Sequence, residues 1–391
     1  MPVTTVTTGV QYSGIWTMQQ VNAAVAAGTW PVIGPTLFTW GSGSGGALAL
    51  NNTTNYSSPK QVGSLKNWSK IVMGSATGIA IKTDGTLWGW GSNYWGNLGL
   101  GTNSNYYSSP KQIGTLTTWY SVDIGAEGFT VAIKTDGTLW AWGNNTKGQL
   151  GLNNLTKYSS PKQVGSLTNW AQIHCAYNGV MAVKTDGTLW GWGNNSTGQI
   201  GLGNTTYYSS PKQVGSLTNW LYVASNYSTI ATKTDGTMWS WGYNASGQLG
   251  RGNTIGTSSP QQLGALTNWS ANIGINSASA FAIKSDGTAW SWGGNTAGEL
   301  GLGNKTNYSS PKQIGALNNW SKISPTSGGN VGCFSIKTDG TLWGWGSNSS
   351  GRIGLGNTTN YSSPKQVGNL TSWLAVSAGY TSSSAGIASS G

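Results

Sequence analysis

Short runs of alternating apolar and polar residues return along this chain at a nearly fixed interval. The run from Lys134 to Gly151, KTDGTLWAWGNNTKGQLG, is typical, and close copies begin at Lys82, Lys184, Lys233, Lys284 and Lys337. The Asp of each copy stands at 84, 136, 186, 235, 286 and 339, giving intervals of 52, 50, 49, 51 and 53 residues. A period near fifty held over most of a chain marks a repeat architecture. Within one unit the pattern predicts strands over Trp68–Met73, Ile79–Thr83 and Thr86–Trp90, with a fourth around Lys60 or from Lys111 to Ile113. Thr-Asp-Gly-Thr between the second and third predicts a two-residue type I′ hairpin, because Asp-Gly accepts positive φ at both central positions. Trp88 and Trp90 fall on one face with Gly89 between them. Such alternation of large and small suits sheets packed face to face.

The repeat starts in mid-unit. Thr36-Leu-Phe-Thr-Trp40-Gly matches Thr86-Leu-Trp-Gly-Trp90-Gly, but no strand and no Asp-Gly turn precede it. The missing half stands at the other end, after Trp373, where Gly386-Ile-Ala-Ser-Ser-Gly391 resembles Gly78-Ile-Ala-Ile-Lys. Complete units and the two halves together make seven. Four-stranded antiparallel sheets repeated radially form a β-propeller. The expected fold is therefore all-β and seven-bladed over residues 34–391, with one blade closed by residues 36–66 and 371–391. Residues 1–33 lie outside the repeat and form an N-terminal extension. There, Thr17-Met-Gln-Gln20 reads as a capping box opening a short helix from Met18 to Ala27, stopped by Gly28 and Pro31.

Composition alters this picture in only a few places. Hydrophobic residues are 37% of the chain, thin for a core unless a few side chains bury large areas. Of the 23 Trp, twelve lie in Trp-x-Trp pairs and seven more at 68, 119, 170, 220, 269, 320 and 373, so the aromatic wealth is mainly architecture. The net charge of +11 admits a polyanionic partner, nucleic acid or an acidic glycan. Twelve of the twenty basic residues, however, are repeat lysines, six of them in Ser-Ser-Pro-Lys. Lys and Pro on outer strands block edge-to-edge pairing, and no nucleic-acid motif accompanies them, which argues against a nucleic-acid partner. Cys175 and Cys333 stand three repeats apart, against a disulfide, and no metal-ligand spacing is present. No apolar run approaches a membrane span, and the first ten residues lack the charge and apolar core of a secretory signal.

Candidate chemistry is sparse. Gly96-Asn-Leu-Gly99-Leu-Gly101 looks like a phosphate loop but has no helix after it, and its repetition marks it as structural. Asp84 and its counterparts are turn residues, not catalytic carboxylates. His174 is the one His, and Cys175 beside it would point to the opposite face of a strand. The acids outside the turns, Asp123, Glu127 and Glu299, are unpaired in sequence. No catalytic residues, cofactor or metal are expected, and the chain reads as a non-enzyme.

The pattern DGTLWGWGNNSTGQIGLGN…SSPKQVGSLTNW, at 186 to 220 and in its copies, resembles the regulator of chromosome condensation repeat. The resemblance covers about residues 36 to 391 and implies a seven-bladed propeller with a blade shared between termini. In that family the exchange factors act on a small GTPase through polar residues and a protruding wedge. No inserted wedge is visible here, and Gly78, Thr130 and Val180 replace the family's frequent His before the second strand. The plant UV-B photoreceptor's Gly-Trp-Arg-His-Thr motif is absent. A secreted bacterial β-lactamase inhibitor of similar shape binds through aromatic loop residues, a precedent for a pure binding role.

Comparison among the repeats locates the variation. The links Asp-Gly and Gly-Ser-Leu-Thr-Asn-Trp hardly change, whereas the loops between first and second strands differ in every unit. That side gathers Tyr94, Trp95, Glu127, Phe129, Tyr177, Asn178, Tyr227 and Tyr380, which form the candidate binding face. Tyr12, Ile15, Trp16, Met18, Val25 and Trp30 are the candidate attachment residues of the extension. The stretch from Tyr12 to Pro31 resembles the openings of phage structural and tail-fibre-type proteins. The leading expectation is a virion component that docks on other virion proteins through residues 1–33 and shows its variable face to a host-surface glycan or protein. The alternatives are a bacterial secreted or cell-surface adhesin or inhibitor, and an exchange-factor-like regulator.

Overall fold

The computed structural model describes residues 34–389 except 104, 327, 329–331 and 381. The N-terminal extension, with its expected helix and attachment residues Tyr12, Ile15, Trp16, Met18, Val25 and Trp30, lies outside the described residues. Seven four-stranded antiparallel sheets follow one another. Blade 1 contains β1 (Thr36–Gly41) and β2 (Tyr56–Gln61), and blade 2 is β3 (Trp68–Met73), β4 (Thr77–Lys82), β5 (Leu87–Ser92) and β6 (Tyr106–Gln112). Blades 3 to 7 repeat this plan from Trp119, Trp170, Trp220, Trp269 and Trp320. The first strands of all seven blades line an axial channel of about 280 Å³. The fourth strands are outermost, and Pro59 and Pro110 on β2 and β6 deny that edge a donor.

Blade 1 is completed by Trp373–Ala378 and Ser383–Ala388, the latter pairing antiparallel with β1. The register corrects the expected alignment. Ser384, not Gly386, faces Trp40 as Gly78 faces Trp90, so Gly386 takes the place of Ala80 and Ile387 that of Ile81. A shift of two residues keeps every side chain on its face. At Gly386 it also clears room, because a Cβ would stand 2.6 Å from the ring of Trp373.

The turn after each second strand also differs from the expectation. Gly85 N–H donates to Lys82 C=O at 3.0 Å and Lys82 N–H to Thr86 C=O at 3.0 Å, closing a three-residue loop. In it only Gly85 has positive φ, +78°. This is a type I turn with a glycine bulge. Asp84 keeps ordinary φ, and its carboxylate instead accepts from the Thr86 N–H at 2.9 Å and the Thr86 hydroxyl at 2.6 Å. The same hydroxyl accepts the Trp88 indole N–H at 2.9 Å, which fixes the outer Trp of the pair.

Packing runs between blades. The cluster joining blades 1 and 2 sets Leu37 and Val62 against Trp68, Ile71 and Trp90, and that joining blades 2 and 3 sets Ile79, Leu87 and Ile113 against Trp119 and Trp142. Trp88 and Trp90 do share a face, since both rings meet Trp68 edge-on at 6.2 and 6.3 Å. The inner Trp of each pair also latches the previous blade. Trp142 donates to Asn97 C=O at 2.9 Å, Trp192 to Gln149 C=O at 3.0 Å and Trp241 to Gln199 C=O at 2.9 Å. The acceptors lie in the Gly-rich loops, which are thereby structural. Around the channel the exposed edges of first strands are bridged by side chains: Asp123 accepts the Cys175 N–H at 2.6 Å, and Gln172 both donates to Val223 C=O and accepts its N–H.

The turn carboxylates make the fold acid-sensitive. Hydrogen bonds from Thr hold Asp84, Asp136, Asp186, Asp235, Asp286 and Asp339 below the usual carboxylate range. A group with a depressed folded pKa contributes stability that is present above its unfolded value and lost as pH falls through the folded one. Burial pushes Asp123 and Glu299 the other way, so they oppose the trend, two groups against six. The melting temperature is expected to fall steeply below about pH 4, and changing all six turn Asp to Asn should flatten that slope in a pH series of thermal melts.

Candidate functional site

The loops between first and second strands converge at one end of the axis, where a cavity of about 480 Å³ opens. Six of the eight predicted face residues line it: Tyr94, Trp95, Glu127, Tyr177, Tyr227 and Tyr380. Glu127, Tyr177, Tyr227 and Tyr380 come from short loops between paired first and second strands, and Tyr94 and Trp95 from the longer connection between β5 and β6, so the side chains project from a strand-built frame. Tyr177 of blade 4 stacks on Tyr227 of blade 5 at 5.1 Å and 26°. Tyr380 of blade 1 meets the edge of Tyr177 at 6.1 Å and 72°, so loops from distant blades touch over the axis. Tyr94, two-thirds exposed, stands edge-on to Trp95 at 4.8 Å. The other face of that wall is braced by Lys157, whose ammonium lies 3.9 Å from the Trp95 ring centre. Gly128 admits this arrangement: it has φ +74°, and a Cβ there would stand 2.4 Å from Trp95 Cδ1.

Glu127 is the one carboxylate among the lining residues described. The Tyr177 hydroxyl donates to it, and that bond, ahead of burial, pushes the phenol well above its ordinary value. Burial also raises Tyr227. Both phenols are therefore neutral donors at physiological pH, and the site combines one carboxylate with aromatic faces.

Two predicted residues are not part of it. Phe129 is fully buried, packed into the core between blades 3 and 4, where its large apolar ring meets the neighbouring blade. Asn178 is spent on structure: its side chain accepts from Gln149 Nε2 at 3.5 Å and its carbonyl from Asn194 N–H at 2.9 Å. The reading missed Thr77 and Asn97, whose side chains are bonded at 3.1 Å on the cavity wall. Asn97 had a signal, since it stands where other repeats carry Gln149, Gln199 and Gln248.

The second cluster of polar groups is the channel. His174 Nδ1 accepts the Ser225 N–H at 3.2 Å, and Cys175 packs between blades 3 and 4, where burial pushes its thiol well up. Neighbouring though they are, the two serve different layers. Among the described residues no group of three or more His, Cys, Asp or Glu side chains could hold a metal ion, and no helix is long and apolar enough to cross a membrane.

Sequence families agree with this geometry. The RCC1-like domain model matches residues 36–334, and the regulator of chromosome condensation (RCC1) repeat model matches residues 339–385. The chain belongs to the RCC1-like domain family. The dog X-linked retinitis pigmentosa GTPase regulator is 39% identical over 89 residues, 22% of this chain and 9% of that protein. The Arabidopsis ultraviolet-B receptor UVR8 is 36% identical over 86 residues, 22% of this chain and 19% of that protein. These matches span under a fifth of the relatives' own length. Among solved structures, human WBSCR16 superposes with a TM-score of 0.80 at 19% identity, covering 91% of this chain and 99% of that one. Yeast Prp20p gives 0.79 at 19% identity, covering 92% of each. These RCC1-like likenesses establish the fold.

Proposed function

We propose that this RCC1-like propeller is a protein-recognition module, without catalytic chemistry of its own, whose axial pocket receives a cationic side chain from a protein partner. The observation that carries the reading is the convergence of Glu127 with the faces of Trp95, Tyr177, Tyr227 and Tyr380. Six of the nine acids serve the turns, and Asp123 and Glu299 are engaged with backbone N–H groups in the channel and in a loop. Glu127 is engaged only by the Tyr177 hydroxyl among the bonds described above, which leaves its carboxylate acceptor capacity for a partner, in a protein whose net charge is +11. A carboxylate beside aromatic rings favours an ammonium or guanidinium, through charge-assisted hydrogen bonding and attraction to the ring quadrupole.

The relatives point to the same class of partner. The dog protein is named as a GTPase regulator, and the yeast neighbour is described as binding Gsp1p and histones. A regulatory, protein-binding role fits them better than the narrower reading of a virion component docked through residues 1–33. Titration of the full chain with Lys- and Arg-bearing peptides should show saturable binding. Glu127→Gln should weaken it about tenfold, the scale of one hydrogen bond to a charged group, and Trp95→Ala and Tyr227→Ala should weaken it further. Equal affinity for peptides with norleucine in place of Lys would overturn the reading.

A further inference from the structure

The first strand is the inner edge of every blade, so alternate N–H groups on it face the axial channel with no partner in their own sheet. Side chains of the preceding blade take these donors. Ser377 Oγ accepts the Met73 N–H at 2.9 Å, Asp123 Oδ2 the Cys175 N–H at 2.6 Å, and His174 Nδ1 the Ser225 N–H at 3.2 Å. Between blades 6 and 7 the same place is closed without a bond: Pro325 has no N–H, and it lies against Gly274, where a Cβ would stand 2.4 Å from the Pro325 ring. A hydroxyl or a proline is thus enough to close this seam. Of the equivalent residues around the channel, only Asp123 and His174 are ionisable.

Those two stand at the base of the recognition loops, although neither lines the pocket. Asp123 Oδ1 also accepts the Ile124 N–H at 2.9 Å, near the end of the strand that leads to Glu127. Cys175 ends the strand Trp170–Cys175 just before Tyr177, and Ser225 ends Trp220–Ser225 just before Tyr227. One carboxylate and one imidazole therefore pin the loops that carry Glu127 and the stacked pair Tyr177 and Tyr227. Higher up the loops have further ties. Glu127 N–H donates to Tyr177 C=O at 3.3 Å, and the Thr197 hydroxyl to Tyr227 C=O at 2.7 Å. A base that slips would tilt the rings without freeing them.

We propose that Asp123 and His174 are positioning residues for the recognition pocket and that a proton taken up by His174 loosens it, an inference that rests on the binding role proposed for that pocket. An imidazole that accepts at Nδ1 carries its one proton on Nε2. A second proton goes to Nδ1 and makes that atom a donor, so the Ser225 N–H loses its acceptor. The titratable groups lining the channel with His174 are Asp123, Cys175, Tyr222 and Lys322. The Cys175 side chain belongs to the core between blades 3 and 4, burial keeps the Tyr222 phenol neutral, and the Lys322 ammonium is held by Leu374 C=O. On the packed second strands, Lys134 and Lys184 lie over Trp rings. Asp123 is the neighbour that attracts an imidazolium. Burial raises its own carboxyl, so acid acts on both anchors in the same direction.

The test is titration of the full chain with a capped peptide whose one ionisable side chain is Lys, from about pH 8 to about pH 5. Wild-type affinity should fall about tenfold over that range, the scale of one hydrogen bond. His174→Gln keeps an acceptor that does not titrate, as Gln172 provides for the Val223 N–H at 3.1 Å, and should match wild type at the alkaline end. Combined with Asp123→Asn it should lose the pH dependence. His174→Leu has no acceptor and should bind about tenfold more weakly even at the alkaline end. A flat wild-type profile, a wild-type profile in the double variant, or wild-type affinity in His174→Leu overturns the inference. If no Lys peptide binds, the binding role fails by itself, and the anchor is read in the free chain. There the Ser225 amide should be about tenfold less protected from exchange in His174→Leu than in His174→Gln, and equal protection overturns the inference.

Discussion

A chain lacking residues 383–391 is expected to lose its cooperative fold. The strand Ser383–Ala388 is buried along its whole length and is paired on both sides, to β1 and to Trp373–Ala378. It also feeds two inter-blade cores. Ala385 and Ile387 pack with Trp68 and Trp90 between blades 1 and 2, while Ala388 packs with Trp40 and Phe334 between blades 7 and 1. Each lost ladder hydrogen bond costs about 0.5–1.5 kcal/mol net, and unburying Ile387 alone costs about 1.5–3 kcal/mol. Eleven backbone pairings disappear with the strand, six to β1 and five to Trp373–Ala378. Their sum reaches the roughly 5–15 kcal/mol by which folded domains exceed unfolded ones. The truncated protein should show no near-ultraviolet Trp dichroism and no sharp melt, and a peptide of residues 379–391 added in trans should restore part of both. A truncated chain that melts within a few degrees of the full one would show that this strand does not close the ring.

That closure was legible in sequence because a propeller repeat advertises its missing half: β1 has the Trp40 of a third strand and no Lys-Thr/Ser-Asp-Gly sequence before it. The pairing partner followed, but its register did not, since Ser383–Ala388 is small and uniformly buried and lacks the Lys-Thr/Ser-Asp-Gly that anchors every other copy. The turn type escaped for a similar reason. Asp-Gly fits both a type I′ hairpin and a type I turn with a glycine bulge, and what decides is the Thr86 hydroxyl that captures Asp84. The face of the site was visible as variation among loops, whereas membership depended on one-residue offsets. Tyr177 precedes its strand and projects into the cavity, while Phe129 begins its strand and turns into the core.

Trp192→Ala is expected to cost about 3–5 kcal/mol, the range for a buried aromatic truncated to Ala. Its ring is fully buried, meets Trp170 at 5.8 Å and 66°, and belongs to the core shared by blades 3 and 4. Its indole N–H holds Gln149 C=O of the previous blade at 3.0 Å. Gly151 sits against the same nitrogen, a Cβ there falling 2.9 Å away, so the loop cannot relax into the space without giving up that approach. Trp192→Phe separates the two contributions. It keeps most of the packing and deletes the hydrogen bond, leaving a buried carbonyl at a cost of about 1–3 kcal/mol. Denaturant midpoints measure both losses. Because blades contact their neighbours, the damage should be local: amide exchange should quicken first along Gly179–Lys184 and around Gln149, with blades 6 and 7 protected as before. Uniform acceleration around the ring would mean that the blades stand or fall together and that the latch is one bond among many. Acceleration confined to one interface would make each Trp-x-Trp pair the unit of stability from which the ring is assembled.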